Sequence, residues 1–96
     1  VRIRTHPGEV LREEFMKPLE LSANALALAL RVPVTRVNDI ARERRGVSAD
    51  TALRLARYFG TTPEFWLNLQ QAHDLSKVER EMGAEIVRGV EPRMAG

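Results

Sequence analysis

Apolar residues recur along this chain with a helical period, and proline, glycine and small polar residues punctuate them into five segments. Val10, Leu11 and Phe15 make the first stripe, behind His6-Pro7-Gly8-Glu9. Pro7 suits a first turn, where the N–H it lacks would have no intrahelical partner, and Glu9 suits the positive end of a helix. Pro18 ends the segment. Ser22 caps a second helix, Ala23–Leu30, rich in alanine and leucine. Pro33 interrupts the chain and starts a third over roughly Val34–Arg42, with Val37 and Ile40 three apart. Ser48 caps a fourth, in which Ala52, Leu55, Ala56 and Phe59 share a face and Gly60 marks the stop. Thr62-Pro63-Glu64 opens a fifth that carries Phe65, Leu69 and Ala72, expected to reach about Met82 and stop at Gly83. Val1–Thr5 and Ile86–Val90 are each expected as a small strand or an extended segment. The pattern predicts an all-α, five-helix domain over residues 1–83 and a partly extended C-terminal tail over 84–96.

Ser22–Arg45 holds more than generic helix packing. Two short helices separated by Arg31-Val32-Pro33 must meet at a sharp angle. Ala27 on the inward face lets the second helix approach, and Leu26, Leu30, Val32, Val37 and Ile40 supply the apolar contacts. The remaining face of Val34–Arg42 is polar. A helix-turn-helix needs this division: one side buried against its partner, the other offered to base edges in the major groove. By position, Val34, Thr35 and Asn38 are expected at base edges, with Val34 against a thymine methyl and Asn38 on adenine. Asp39 is expected either to accept from cytosine or to orient Arg36. Arg42, Arg44 and Arg45 follow the helix and are expected at phosphates, as are the backbone amides at Ser22 and Ala23.

Charge supports this division. The net charge of +2 is small, but residues 31–58 carry seven arginines against three acids, while residues 64–96 are net acidic. Guanidinium forks suit phosphate and guanine. Hydrophobic residues at 44% place the chain in the globular class rather than the disordered one. No apolar run approaches the ~20 residues that span a bilayer, and Val1–Pro7 does not read as a signal peptide. The chain has no cysteine, so disulfides and thiolate metal sites are excluded, in keeping with a reducing cytoplasm. His6 and His73 stand far apart without ligand spacing, and Ser22 and Ser48 read as caps rather than nucleophiles. No metal, cofactor or catalytic site is expected.

Three blocks in order, HPGEVL from His6, RRGVSADTALRLARYFG from Arg44 and TTPEFWLNLQ from Thr61, resemble the HigA-type (VapI-like) antitoxins within the XRE/Cro-like helix-turn-helix group. The resemblance covers roughly residues 6–75. It implies a lambda-repressor-like five-helix domain, a homodimer, an operator overlapping its own promoter, and a partner toxin similar to RelE-type ribonucleases. It also implies base contacts at the start of the third helix, here Val34, Thr35, Arg36, Asn38 and Asp39. Two positions depart from the pattern. Arg31 stands where the turn usually has glycine and is expected in a left-handed or adjusted conformation, and Arg42-Glu43 replaces a usual Asn-Gly.

The fifth helix carries more apolar surface than the preceding four need. Phe65, Trp66, Leu69, Ala72 and Leu75 are expected to pack against a second copy about a twofold axis. That symmetry would set two reading helices about 34–36 Å apart, one turn of B-DNA. The leading expectation is an operator-specific autorepressor that also neutralises a toxin. The alternatives are a solitary transcriptional regulator and an interaction module that has lost DNA binding.

Overall fold

The computed structural model describes residues 2–94, and four of its helices begin where a side chain accepts a free first-turn amide. His6 Nδ1 accepts from Gly8 at 2.8 Å to open α1, Pro7–Val10. Ser22 Oγ accepts from Ala25 to open α2, Ala23–Leu30. Pro33 precedes α3, Val34–Ala41, without a side-chain cap. Ser48 and Thr62 cap α4, Ala49–Phe59, and α5, Pro63–Gly89, by accepting from Thr51 and Phe65. Gly60, at φ 74°, closes α4 in the left-handed conformation. The five-helix, all-α expectation stands.

Two helices differ from their expected form. Past Val10 the first helix widens, and Leu11–Met16 is π-helical, with Lys17 N–H donating to the Arg12 carbonyl five residues back at 3.0 Å. Pro18 then has no N–H with which to close another helical turn. The second difference is at the far end. α5 passes through Gly83 and continues to Gly89, so Ile86–Gly89 is helix rather than strand or extended chain. Gly83 costs about 1 kcal/mol against alanine. Its neighbours, Glu79-Arg80-Glu81-Met82 and Ala84-Glu85, are strong helix formers, and no left-handed turn forms at Gly83.

The core lies between α1, α2, α3, α4 and the first turns of α5. Leu11, Leu26, Val37, Ile40, Leu55 and Trp66 are its largest fully buried members, with Phe15 and Phe59 packed against them. Trp66 is 0% exposed, its ring centroid 5.2 Å from that of Phe15, and its Nε1–H donates to Thr61 Oγ1 at 2.8 Å. This corrects the expectation that Trp66 belongs to a dimer contact: the ring is enclosed within its own domain. Leu69 is likewise half-buried against that core. Beyond Ser76 no described residue of α5 is buried, and the helix stands off the domain, giving a molecule 54 × 25 × 21 Å.

Helix α3 is positioned from below by α1. A Cβ on Gly8 would overlap the Ile40 carbonyl, so only glycine lets the head of α1 sit on the last turn of α3. Arg12 reinforces the contact, donating to the Ala41 carbonyl and pairing with Glu43 at 3.6 Å. The histidines that sequence distance separated meet here, with the His6 and His73 rings edge-to-face at 4.8 Å. Burial, and then the adjacent His73, push the His6 imidazole below its ordinary value of 6.5, against the opposing pull of Glu43 and Asp74.

His6 must be neutral at Nδ1 to cap α1, and this sets the sign of a pH dependence. Stability is fully present above about pH 6.5 and is lost as pH falls through the lowered folded value. As pH falls below about 6.5 the wild type should lose stability, by no more than the order of one N-cap, about 1 kcal/mol. His6→Asn keeps a cap that does not titrate there and should flatten that slope in urea titrations. Equal slopes for the two proteins would contradict the assignment.

Candidate nucleic-acid interface

Helical geometry divides α3 cleanly. Val37, Ile40 and Ala41 are buried at i, i+3 and i+4, so Thr35, Asn38, Asp39 and Arg42 form the opposite stripe at i, i+3, i+4 and i+7. Thr35 and Arg42 are exposed, and Asn38 and Asp39 half-exposed. Val34 and Arg36 stand about a quarter-turn to either side. Val34 packs partly against the core, and Arg36 leans towards α4, where its Nη1 donates to Asp50 Oδ2 at 2.8 Å. Asp39 pairs with Arg45 at 3.7 Å, so the expectation that it orients Arg36 is corrected. Asp50 has that role.

The turn between α2 and α3 is made by Arg31 at φ 59°, ψ 48°. A left-handed conformation costs an L-residue roughly 1–2 kcal/mol. Arg54 from α4 offsets part of that cost, donating to the Leu30 carbonyl at 2.8 Å and to the Arg31 carbonyl at 3.4 Å. Its Nε also donates to Asp50 at 3.0 Å. Arg54, and then Arg36, hold the Asp50 carboxyl below the ordinary carboxylate range, with partial desolvation opposing. One chain of contacts, Arg36–Asp50–Arg54–turn, thus braces both helices of the motif on α4.

After α3 the chain turns through Glu43 at φ 61°, the second position where glycine is usual. Arg44 and Arg45 both donate their backbone N–H to the Asp39 carbonyl, at 2.8 and 3.2 Å. Exposed Arg42, Arg44 and Arg45 therefore cluster at the C-terminal end of α3. At the other flank, the Ser22 cap leaves the Ala23 and Asn24 amides without an intrahelical partner, as a first turn must. The candidate base and phosphate residues thus lie along α3 and at two neighbouring backbone turns. Asp50 and Arg54 were not among them: their i, i+4 spacing was legible, but their reach to Arg36 and the turn depends on the fold. Among the described residues no group of three or more histidine, aspartate or glutamate side chains gathers as a metal site, and no helix is long and apolar enough to cross a membrane.

Residues 13–66 match the family described as Helix-turn-helix. Virulence-associated protein I of Dichelobacter nodosus is 59% identical over 76 residues, 79% of this chain and 70% of that protein. The chain belongs to the HigA-type, VapI-like branch of the helix-turn-helix family. Among solved structures, Pseudomonas aeruginosa antitoxin HigA with the higBA promoter is 47% identical, covers 97% of this chain and 100% of its own, and superposes with a TM-score of 0.91. Antitoxin GraA in complex with its operator is 56% identical, covers 99% and 95% of the two chains, and has a TM-score of 0.92. In this chain Arg31 and Glu43 take the left-handed conformation themselves.

Proposed function

We propose that this chain is a dimeric, operator-binding antitoxin that represses its own operon and neutralises a RelE-like toxin. The observation that carries the reading is the stripe Thr35, Asn38, Asp39 and Arg42 on a helix whose opposite side is fully buried and whose ends are flanked by arginines. Thr35, Asn38 and Asp39 read base edges. Val34 and Arg36 contact the groove from the two sides, with Arg36 held ready by Asp50. Arg42, Arg44, Arg45 and the amides at Ser22 and Ala23 hold phosphates. Likeness to antitoxins solved on an operator or promoter supports the same docking here.

We place the centre of the dimer contact at the outer part of α5, beyond Phe65 and Leu69. Leu75, Val78, Met82 and Ile86 fall at i, i+3, i+7 and i+11 and are 58%, 48%, 44% and 45% exposed. On a helix that has left its own domain, such a stripe is a seam for a second copy. Phe65, Leu69 and Ala72 flank it at the domain end. The toxin would be sought as the product of a neighbouring reading frame, by co-purification with this chain.

Phosphate contact is tested by salt. Arg45→Ala should weaken binding to every duplex alike and reduce the log–log salt slope by about 0.9 for the phosphate released. An affinity indifferent to salt in the unaltered protein would overturn the DNA-binding reading in favour of an interaction module.

A further inference from the structure

We propose that Gln70 on α5 is a positioning residue for DNA binding, holding the loop that carries the phosphate-contacting arginines. The inference rests on the operator-binding reading. The upstream anchor of the loop is the Asp39 carbonyl, which takes the amides of Arg44 and Arg45. The downstream anchor is Gln70, whose Oε1 accepts from the Val47 N–H at 2.7 Å. Val47 is 5% exposed, so its amide has little water to turn to, and losing this acceptor leaves a buried donor unsatisfied.

The Gln70 amide is held in one orientation. Its Nε2 donates to Asp74 Oδ1 at 2.9 Å, and a carboxylate can only accept, so the oxygen must face Val47. Gly46 makes the approach possible. A Cβ there would lie 2.9 Å from Gln70 Cδ and Oε1, tighter than real side chains pack. Arg44 and Arg45 are therefore suspended between α3 and α5. With both ends fixed, the backbone that carries their guanidiniums is ordered before a duplex arrives. With one end released, the loop is no longer aimed, and the contacts of its arginines with phosphates are weakened or lost.

The test titrates one operator duplex with wild type, Gln70→Leu, and the exchanged pair Gln70→Glu with Asp74→Asn. The exchanged pair keeps the net charge, the acceptor for Val47 and a donor between the two side chains. Gln70→Leu should bind about 10-fold more weakly with a salt slope shallower by roughly one to two, and the exchanged pair should recover most of both. Wild-type affinity and slope in Gln70→Leu would overturn the proposal, as would an exchanged pair no better than Gln70→Leu. Hydrogen exchange of the Val47 amide in the unaltered protein is a readout that does not depend on the variants folding. Protection is expected, and exchange at the rate of an open loop would overturn the anchor. Failure of the wild type to bind any duplex would instead sink the operator-binding reading, and the Val47 measurement keeps the two failures apart.

Discussion

Trp66→Ala is expected to cost about 3–5 kcal/mol of folding stability, the range for emptying a buried aromatic site. The ring has no exposure, packs between Phe15, Phe59 and Phe65, and its Nε1–H is satisfied by Thr61. For a domain of this size, with a total stability of roughly 5–15 kcal/mol, that loss is a large share. Trp66→Phe should lose less, because it keeps most of the packing and leaves the Thr61 hydroxyl partly exposed to water. Urea unfolding at low micromolar protein provides the measurement. A loss below about 1 kcal/mol for Trp66→Ala would place the ring outside the core, against the packing described.

Leu75→Glu combined with Ile86→Glu should separate the dimer and reduce operator affinity by at least about 100-fold. Four carboxylates would then face one another along the seam in each pair of chains, and a monomer can engage only one half-site. The helical domain itself should stay folded, since both positions lie outside its core. Sedimentation would report monomer where the unaltered protein reports dimer. A variant that remains dimeric would move the interface back to Phe65 and the domain end of α5. One that is monomeric yet binds the operator normally would remove dimerisation from the mechanism.

The sequence made helix starts more legible than helix ends. Ser22, Ser48, Thr62 and Pro7 act within two or three residues of themselves, so their roles could be read locally. The end of α5 could not be read from Gly83, because a glycine stops a helix only where the chain turns left-handed, and flanking helix formers carried it through. The π-helical widening over Leu11–Met16 left no periodic trace in so short a segment. Trp66 was misplaced for a related reason. An apolar stripe shows that a face is covered without showing by what, and the first turns of α5 are covered by their own domain.

The site divides the same way. Thr35, Asn38 and Asp39 follow from helical period once Val37 and Ile40 are known to be inside. Asp50, Arg54 and Gln70 act across 14, 24 and 23 residues, on Arg36, Leu30 and Val47 respectively, and no local spacing encodes such reach. Arg31 was legible as a departure and takes the left-handed backbone expected of it, with Arg54 on its carbonyl; for Glu43 the departure was legible but its left-handed backbone, beside Arg12, was not.

If α3 reads sequence in the major groove as one half of a symmetric pair, selection of duplexes from a random pool will show it directly. The unaltered protein should enrich a palindrome with half-sites about 10–10.5 base pairs apart, or a whole number of turns further. Asn38→Ala should enrich the same palindrome with one base position relaxed in each half, at roughly 1–3 kcal/mol of lost discrimination. Enrichment of no motif, or of an identical motif by both proteins, would contradict the account.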